Sequence, residues 1–416
     1  MNAEIICVGS EVLAGDTINT NASVIAKGLS DIGIETLYHS VVGDDDDRLE
    51  EVIRIASKRV DLIITTGGLG PTYDDMTKAI IAKVFDRNVV YDDETMKHIE
   101  DFFKWLNRPM TENNKRQAQV IEGSDVLKND TGLAPGMCFK QDNNMVVLLP
   151  GPPDEMGPMF NKYLIPRLKQ DDSLKIVSES IRVFGVGESQ IETVLHDLMV
   201  GSTNPIIAPY AKRGEVMLKV TARAKTEEEA KALIKPVHKA IFDAFYKNIY
   251  TTVDINLESA LVRALKEKEK NIAIAESCTG GIIASRLTTV PGASAVFGYG
   301  VVTYANEAKQ KILGVREKTL IDHGAVSEQT AEEMAKGVLK ISGADIGIAV
   351  TGIAGPDGGT EEKPVGLVYV GVATKEETVV KKLMLSRRHA NEREIIRQQA
   401  TANALFLALK TLKDLK

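Results

Sequence analysis

Cysteine is scarce in this chain, with three in 416 residues. Cys7, Cys138 and Cys278 are odd in number, far apart and without CxxC spacing, which argues against a disulfide framework and a zinc knuckle. An excess of positive charge is missing too. The 51 Lys and Arg stand against 58 Asp and Glu, a net charge of -7. That balance lacks the basic footprint of a protein whose main task is to coat nucleic acid, and no juxtamembrane lysine cluster is seen. No apolar run nears membrane-spanning length, and Met1-Asn2-Ala3-Glu4-Ile5-Ile6-Cys7-Val8 has neither a positive n-region nor a small-residue cleavage site. The expectation is a cytoplasmic protein. Internal repeats and low-complexity segments are also absent. What is present is an ordinary globular composition, 44% apolar and 26% charged, at a length that suits two or three domains.

Strand and helix patterns alternate over residues 1–170, which predicts a doubly wound α/β domain. Its expected strands are Ile5–Val8, Leu37–Val42, Leu62–Thr66 and Met145–Leu149, with a helix over Ala22–Leu29 capped from Asn19, Thr20 or Asn21. Composition changes near Gln170-Asp171-Asp172, and residues 171–253 read as a small α+β module with few chemical side chains. Residues 254–416 form a third unit. Its expected strands begin at Ile272, Phe297, Ile346, Leu367 and Val379, and its helices at Leu257, Glu307, Gln329 and Glu392.

Chemistry concentrates first in Ala275-Glu276-Ser277-Cys278-Thr279-Gly280-Gly281 and Thr303-Tyr304-Ala305-Asn306-Glu307-Ala308-Lys309. Ser277 ends an apolar strand, where ligands of parallel sheets gather. Thr279, Gly280 and Gly281 then turn into a helix whose free N–H groups are expected to cradle an oxyanion or phosphate. Asn306 reads as the next helix's N-cap. Lys309 in its first turn should lose proton affinity, so that it takes the Ser277 proton directly or through the Tyr304 hydroxyl. A serine with a lysine base opens amides without a metal. Cys278 is the rival nucleophile, but no histidine lies in these motifs to activate it. A glycine-rich loop, with Gly352, Ala354 and Gly355 as substrate contacts, ends another strand. Arg387, Arg388 and Arg393 offer charge for an anionic substrate, as does any solvated basic face.

A second concentration is Gly67-Gly68-Leu69-Gly70-Pro71-Thr72-Tyr73-Asp74-Asp75, between a strand and a helix. It is neither GxGxxG nor a Walker A turn. Its N–H groups suit phosphate, and Glu11, Asp16, Asp44, Asp74 and Asp75 converge on the same sheet edge, as metal-assisted pyrophosphate cleavage requires. Asp45, Asp46 and Asp47 read as a solvated acidic helix start.

The serine, tyrosine–lysine and glycine-loop motifs, with Gly324-Ala325-Val326-Ser327-Glu328, resemble the CinA C-terminal family of nicotinamide mononucleotide deamidases. The resemblance implies hydrolysis to nicotinate mononucleotide and ammonia with no cofactor, with Ser277 as nucleophile and Lys309 and Tyr304 as the base system. Gly9-Ser10-Glu11, Asn19-Thr20-Asn21, the Gly67 turn and Leu149-Pro150-Gly151 resemble the MoaB/MogA-like N-terminal domain of CinA proteins. That implies an ADP-ribose pyrophosphatase releasing AMP and ribose 5-phosphate. It would use Asp44 and Asp75, metal ligands Glu11, Asp16 and Asp74, and contacts from Asn21, Gly67, Gly68, Gly70, Thr72, Pro150 and Gly151. A divalent cation (cobalt, manganese or magnesium) is implied, and a monovalent one is allowed. No Nudix-type box is present. The middle segment resembles the KH-like linker of CinA, yet no GXXG loop appears, which argues against nucleic-acid binding. The resemblance further implies a homodimer. A non-catalytic pterin- or nucleotide-binding N-terminal module and a competence accessory acting by interaction are the alternatives.

Overall fold

The computed structural model describes residues 1–169, 175–386 and 392–415, so Gln170-Asp171-Asp172 and Arg387-Arg388 lie outside the described residues. The chain divides into two compact units, one of residues 1–177 with 223–230 and one of residues 178–222 with 231–416.

The first unit is built on a six-stranded sheet. Its order is Glu35–Val42, Asn2–Val8, Leu62–Thr66, Asn144–Leu149, Gly136–Gln141, Asp125–Leu127. The first four strands run parallel, and Gly136–Gln141 is antiparallel to both of its neighbours. Leu62–Thr66 is buried at every position, as a central parallel strand covered on both faces should be. Ile5 and Cys7 face the helix Thr20–Asp31 and the helices following Pro153, whereas Ile6 and Val8 face Asp46–Arg59 and Thr77–Val84. Asn19 caps Thr20–Asp31 by accepting from Ala22 N–H, and Asp45 caps Asp46–Arg59 by accepting from Arg48 N–H. The acidic run Asp45–Asp47 is therefore a helix start. Glu4 is fully buried and held by the Arg59 guanidinium at 2.7 and 2.9 Å and by Ser40 at 2.6 Å.

The second unit contains most of a four-stranded sheet, Ile206–Lys212, Glu215–Ala224, Lys175–Phe184, Ile249–Thr251, with helix Glu188–Val200 and most of Glu227–Phe245. It also contains a five-stranded sheet ordered Phe297–Val302, Ile272–Glu276, Ile346–Gly352, Leu367–Ala373, Thr378–Met384. The first three of these strands are parallel. Alternation decides what covers each face. Ile272 and Ile274 pack with the helices Leu257–Glu267 and Glu392–Asp414, while Ala273 and Ala275 meet Met334, Ala335 and Val338 of Glu328–Ser342. The small side chains let that helix lie close: a Cβ on Gly347 would fall 2.5 Å from the Ala335 carbonyl oxygen, and one on Gly371 would fall 2.6 Å from that of Ala331. Ser277 and Gly67 follow central parallel strands in their respective units.

Candidate functional site

The strand Ile272–Glu276 delivers Ser277 at its carboxyl end, and the Ser277 N–H donates to Val350 O on the next strand. The turn closes when Gly280 N–H donates to Ser277 O at 3.0 Å. Lys309 reaches it from the helix Asn306–Leu313. Its Nζ lies 3.1 Å from Ser277 Oγ, 2.9 Å from Thr303 O and 3.1 Å from Tyr304 O. With 1% of Lys309 and 8% of Ser277 exposed, the pair is open to reagents only through the serine. Burial lowers the Lys309 pKa, because the ammonium form loses its hydration. A neutral amine has two hydrogens, enough for the two carbonyls, and one lone pair, which is then left for the serine hydroxyl.

Several expectations need correction here. The Tyr304 hydroxyl does not join the pair; it accepts from Arg393 at 3.2 Å, and Tyr304 touches Lys309 through its backbone carbonyl. Ala305, not Asn306, is the N-cap, since Asn306 already has helical backbone. The N–H groups expected to cradle substrate are taken. Glu276, itself 1% exposed, accepts from Gly281 N–H at 2.9 Å, Ile283 N–H at 3.2 Å and Ala284 N–H at 2.9 Å. Among the described residues, the Thr279 N–H meets no backbone acceptor and the Cys278 N–H meets only its own thiol, so they are the donors left at the turn. Ala354 lies in the apolar core, and Gly352 ends a strand where any Cβ would strike Val368. Gly355 contributes its carbonyl to Arg393, and the Thr279 hydroxyl is buried without a partner. Burial pushes the Cys278 thiol up to about 11, which leaves it protonated and unreactive at neutral pH.

Sequence reasoning missed Glu276, hidden as the last residue of a buried run, and Arg397. Arg397 Nε donates to Cys278 O at 3.0 Å and Nη2 to Thr279 O at 2.8 Å, bridging 119 and 118 residues. The Gly324–Glu328 motif has a structural task. Ser327 caps Glu328–Ser342, and Thr351 Oγ1 holds Ala325 O at 2.7 Å. Two cavities of this unit, about 580 and 430 Å³, contain neither Ser277 nor Lys309 among their lining residues.

In the first unit, turns after four strands enclose a cleft of about 410 Å³. Gly9, Glu11, Asp44, Gly67, Gly68, Gly70, Thr72, Asp74, Asp75, Pro150 and Gly151 line it. Gly67 must be glycine: its φ is +107° and a Cβ would sit 2.1 Å from Val8 O. Asn21 ties the cleft wall together, donating to Thr66 Oγ1 at 2.9 Å and Gly151 O at 2.7 Å. Asp75 differs from expectation. Its carboxylate accepts from Gly70 N–H at 2.8 Å, Thr72 N–H at 2.8 Å and Thr72 Oγ1 at 2.5 Å, so it shapes the turn. Asp44 accepts from Ser10 N–H at 2.9 Å.

The expected set of Glu11, Asp16 and Asp74 does not form. Asp16 is exposed and absent from the cleft lining, and no group of three or more His, Cys, Asp or Glu is placed to hold a metal among the described residues. What does fit is a hard cation shared with a ligand. Asp74 Oδ1 is buried without a partner, and magnesium-type ions bind through one or two carboxylates plus substrate phosphates.

Each unit thus presents reactive or phosphate-compatible groups at the carboxyl edge of a parallel sheet, the arrangement of α/β enzymes. Three family models match successive parts of the chain. They are the probable molybdopterin binding domain over 4–170, the damage-inducible protein CinA KH domain over 178–251 and the CinA C-terminal domain over 254–412. A competence-damage inducible protein of Acetivibrio thermocellus is 48% identical over 416 residues, covering 100% of both chains. One of Clostridium novyi is 47% identical over 405 residues, 97% of each. The solved structure of competence damage-inducible protein A from Klebsiella pneumoniae is 37% identical, with a TM-score of 0.36, and covers 38% of this chain and 97% of that one. The chain belongs to the CinA family. No helix among the described residues is long and apolar enough to cross a membrane.

Proposed function

We propose that the second unit hydrolyses the carboxamide of nicotinamide mononucleotide to the carboxylate and ammonia. The observation that carries this reading is the 3.1 Å contact between Ser277 Oγ and the buried Lys309 Nζ. Ser277 Oγ attacks the carboxamide carbon while Lys309 takes its proton, and the carbonyl oxygen becomes an oxyanion facing the Cys278 and Thr279 N–H groups. The intermediate collapses as Lys309 returns the proton to the leaving nitrogen, releasing ammonia and leaving an acyl-serine. Water then attacks the ester carbonyl, giving up a proton to Lys309. Collapse frees the carboxylic acid as Lys309 returns that proton to Ser277, and the acid ionises to the carboxylate by giving its proton to ammonia or solvent. Arg393, beside the glycine loop, supplies positive charge suited to the nucleotide phosphate.

The test is ammonia release from nicotinamide mononucleotide by wild type and Ser277→Ala in EDTA. Release by the wild type alone supports the reading, and release by neither overturns it.

For the first unit we propose binding and cleavage of ADP-ribose in the carboxylate-lined cleft. Gly68 and Leu69 N–H groups, unused in backbone bonds among the described residues, would be the donors for a ligand phosphate there, and Asp75 holds the turn that carries them. Asp74 would share a divalent cation with the pyrophosphate, and that ion would neutralise charge developing on the phosphate oxygens. AMP release that requires added divalent cation supports this. Tight ADP-ribose binding with no AMP release would instead favour the non-catalytic module, which the missing three-carboxylate group also favours.

A further inference from the structure

We propose that Glu276 and Arg397 are positioning residues that clamp the Ser277 turn from two sides and so decide which N–H groups remain for the oxyanion. This rests on the serine–lysine reading of the site.

Peptide planarity makes the argument. In a trans peptide the C=O and the following N–H point in opposite directions. Arg397 draws the Cys278 and Thr279 carbonyls toward itself, which turns the Thr279 and Gly280 N–H groups away from it. Gly280 N–H is consumed by Ser277 O, whereas Thr279 N–H stays free among the described residues. On the other side Glu276 satisfies Gly281, Ile283 and Ala284 N–H, the groups a negatively charged ligand would otherwise seek. Its own backbone oxygen takes Thr303 N–H at 2.8 Å, next to the carbonyl that holds Lys309. One side chain therefore fixes the helix start, and its backbone reaches the segment that anchors the base. The short helix Ile282–Thr288 is left without an open anion site, and the donor role falls to the turn itself.

The experiment uses the full chain carrying Glu276→Gln, Arg397→Lys or Arg397→Ala. Steady-state deamidation is measured beside the rate at which a fluorophosphonate labels Ser277. A lost oxyanion alignment should lower kcat about 10²-fold in Glu276→Gln and Arg397→Ala, with KM within about threefold of wild type. Labelling should slow in parallel, and Arg397→Lys should recover part of both rates because one donor remains. Unchanged kcat, or a rise in KM alone, would overturn the clamp. So would activity losses that track a falling thermal midpoint across all three variants. Should Glu276→Gln fail to fold, the two Arg397 variants decide. If wild type labels at Ser277 yet releases no ammonia, the substrate reading fails while the labelling rates still judge the clamp.

Discussion

The two candidate sites occupy the same place in their sheets and treat their polar groups in opposite ways. Around Ser277, chemistry is resident: Lys309 and Glu276 are almost wholly buried, and every bond they make is to the chain itself. Around Gly67, the carboxylates of Glu11, Asp44 and Asp74 border an open cleft, and Asp75 is spent on the turn. The difference fits what each proposed reaction must bring. A lysine base needs desolvation to be neutral, so its site must be dry before substrate arrives. On the proposed reading a pyrophosphate would bring its own charge and share a cation, so its site can stay open until the ligand completes it.

The sharpest way to break this comparison is Ser277→Ala. Ammonia release should fall at least about 10⁴-fold while AMP release from ADP-ribose is unchanged. Lys309→Met should cost roughly 10³-fold in the same assay. In the wild type the sign of the pH dependence is fixed by burial. The active base is the neutral amine and its pKa lies below the ordinary 10.5. Ammonia release should therefore rise with pH through a midpoint below 10.5. A midpoint at or above the ordinary value would contradict a buried base. Asp75→Ala should lower AMP release on the order of 10²-fold by loosening the Gly70–Thr72 turn, and leave deamidation intact. Equal loss in both assays would show that the sites are not independent. The smallest effect belongs to Cys278→Ala, about twofold or less on ammonia release, because the thiol is protonated and serves as packing.

Much of this was legible beforehand for local reasons. Leu62–Thr66 matches its expected bounds, since an apolar and β-branched run leaves little choice of structure. Asn19 and Asn256 cap where side-chain chemistry says they should. The strands Val89–Tyr91, Gln119–Ile121, Asp125–Leu127 and Ile249–Thr251 escaped notice because three residues carry no periodicity. At the site, Ser277 and Lys309 are close in sequence and on signature motifs. Glu276 was masked by its apolar neighbours, and Arg397 acts across 119 residues, a separation at which sequence spacing says nothing. The relay through Tyr304 failed for a geometric reason: its side chain leaves the helix start toward solvent and Arg393, while only its carbonyl stays inside.

The bridge from Arg397 back to Cys278 and Thr279 also sets a schedule for the newborn chain. Ser277 and Lys309 leave the ribosome long before the helix Glu392–Asp414 is made, and until then nothing orders their turn from that side. A polypeptide interrupted before Glu392 would hold Ser277 and Lys309 yet lack the guanidinium that fixes the Cys278 and Thr279 carbonyls, and should not deamidate.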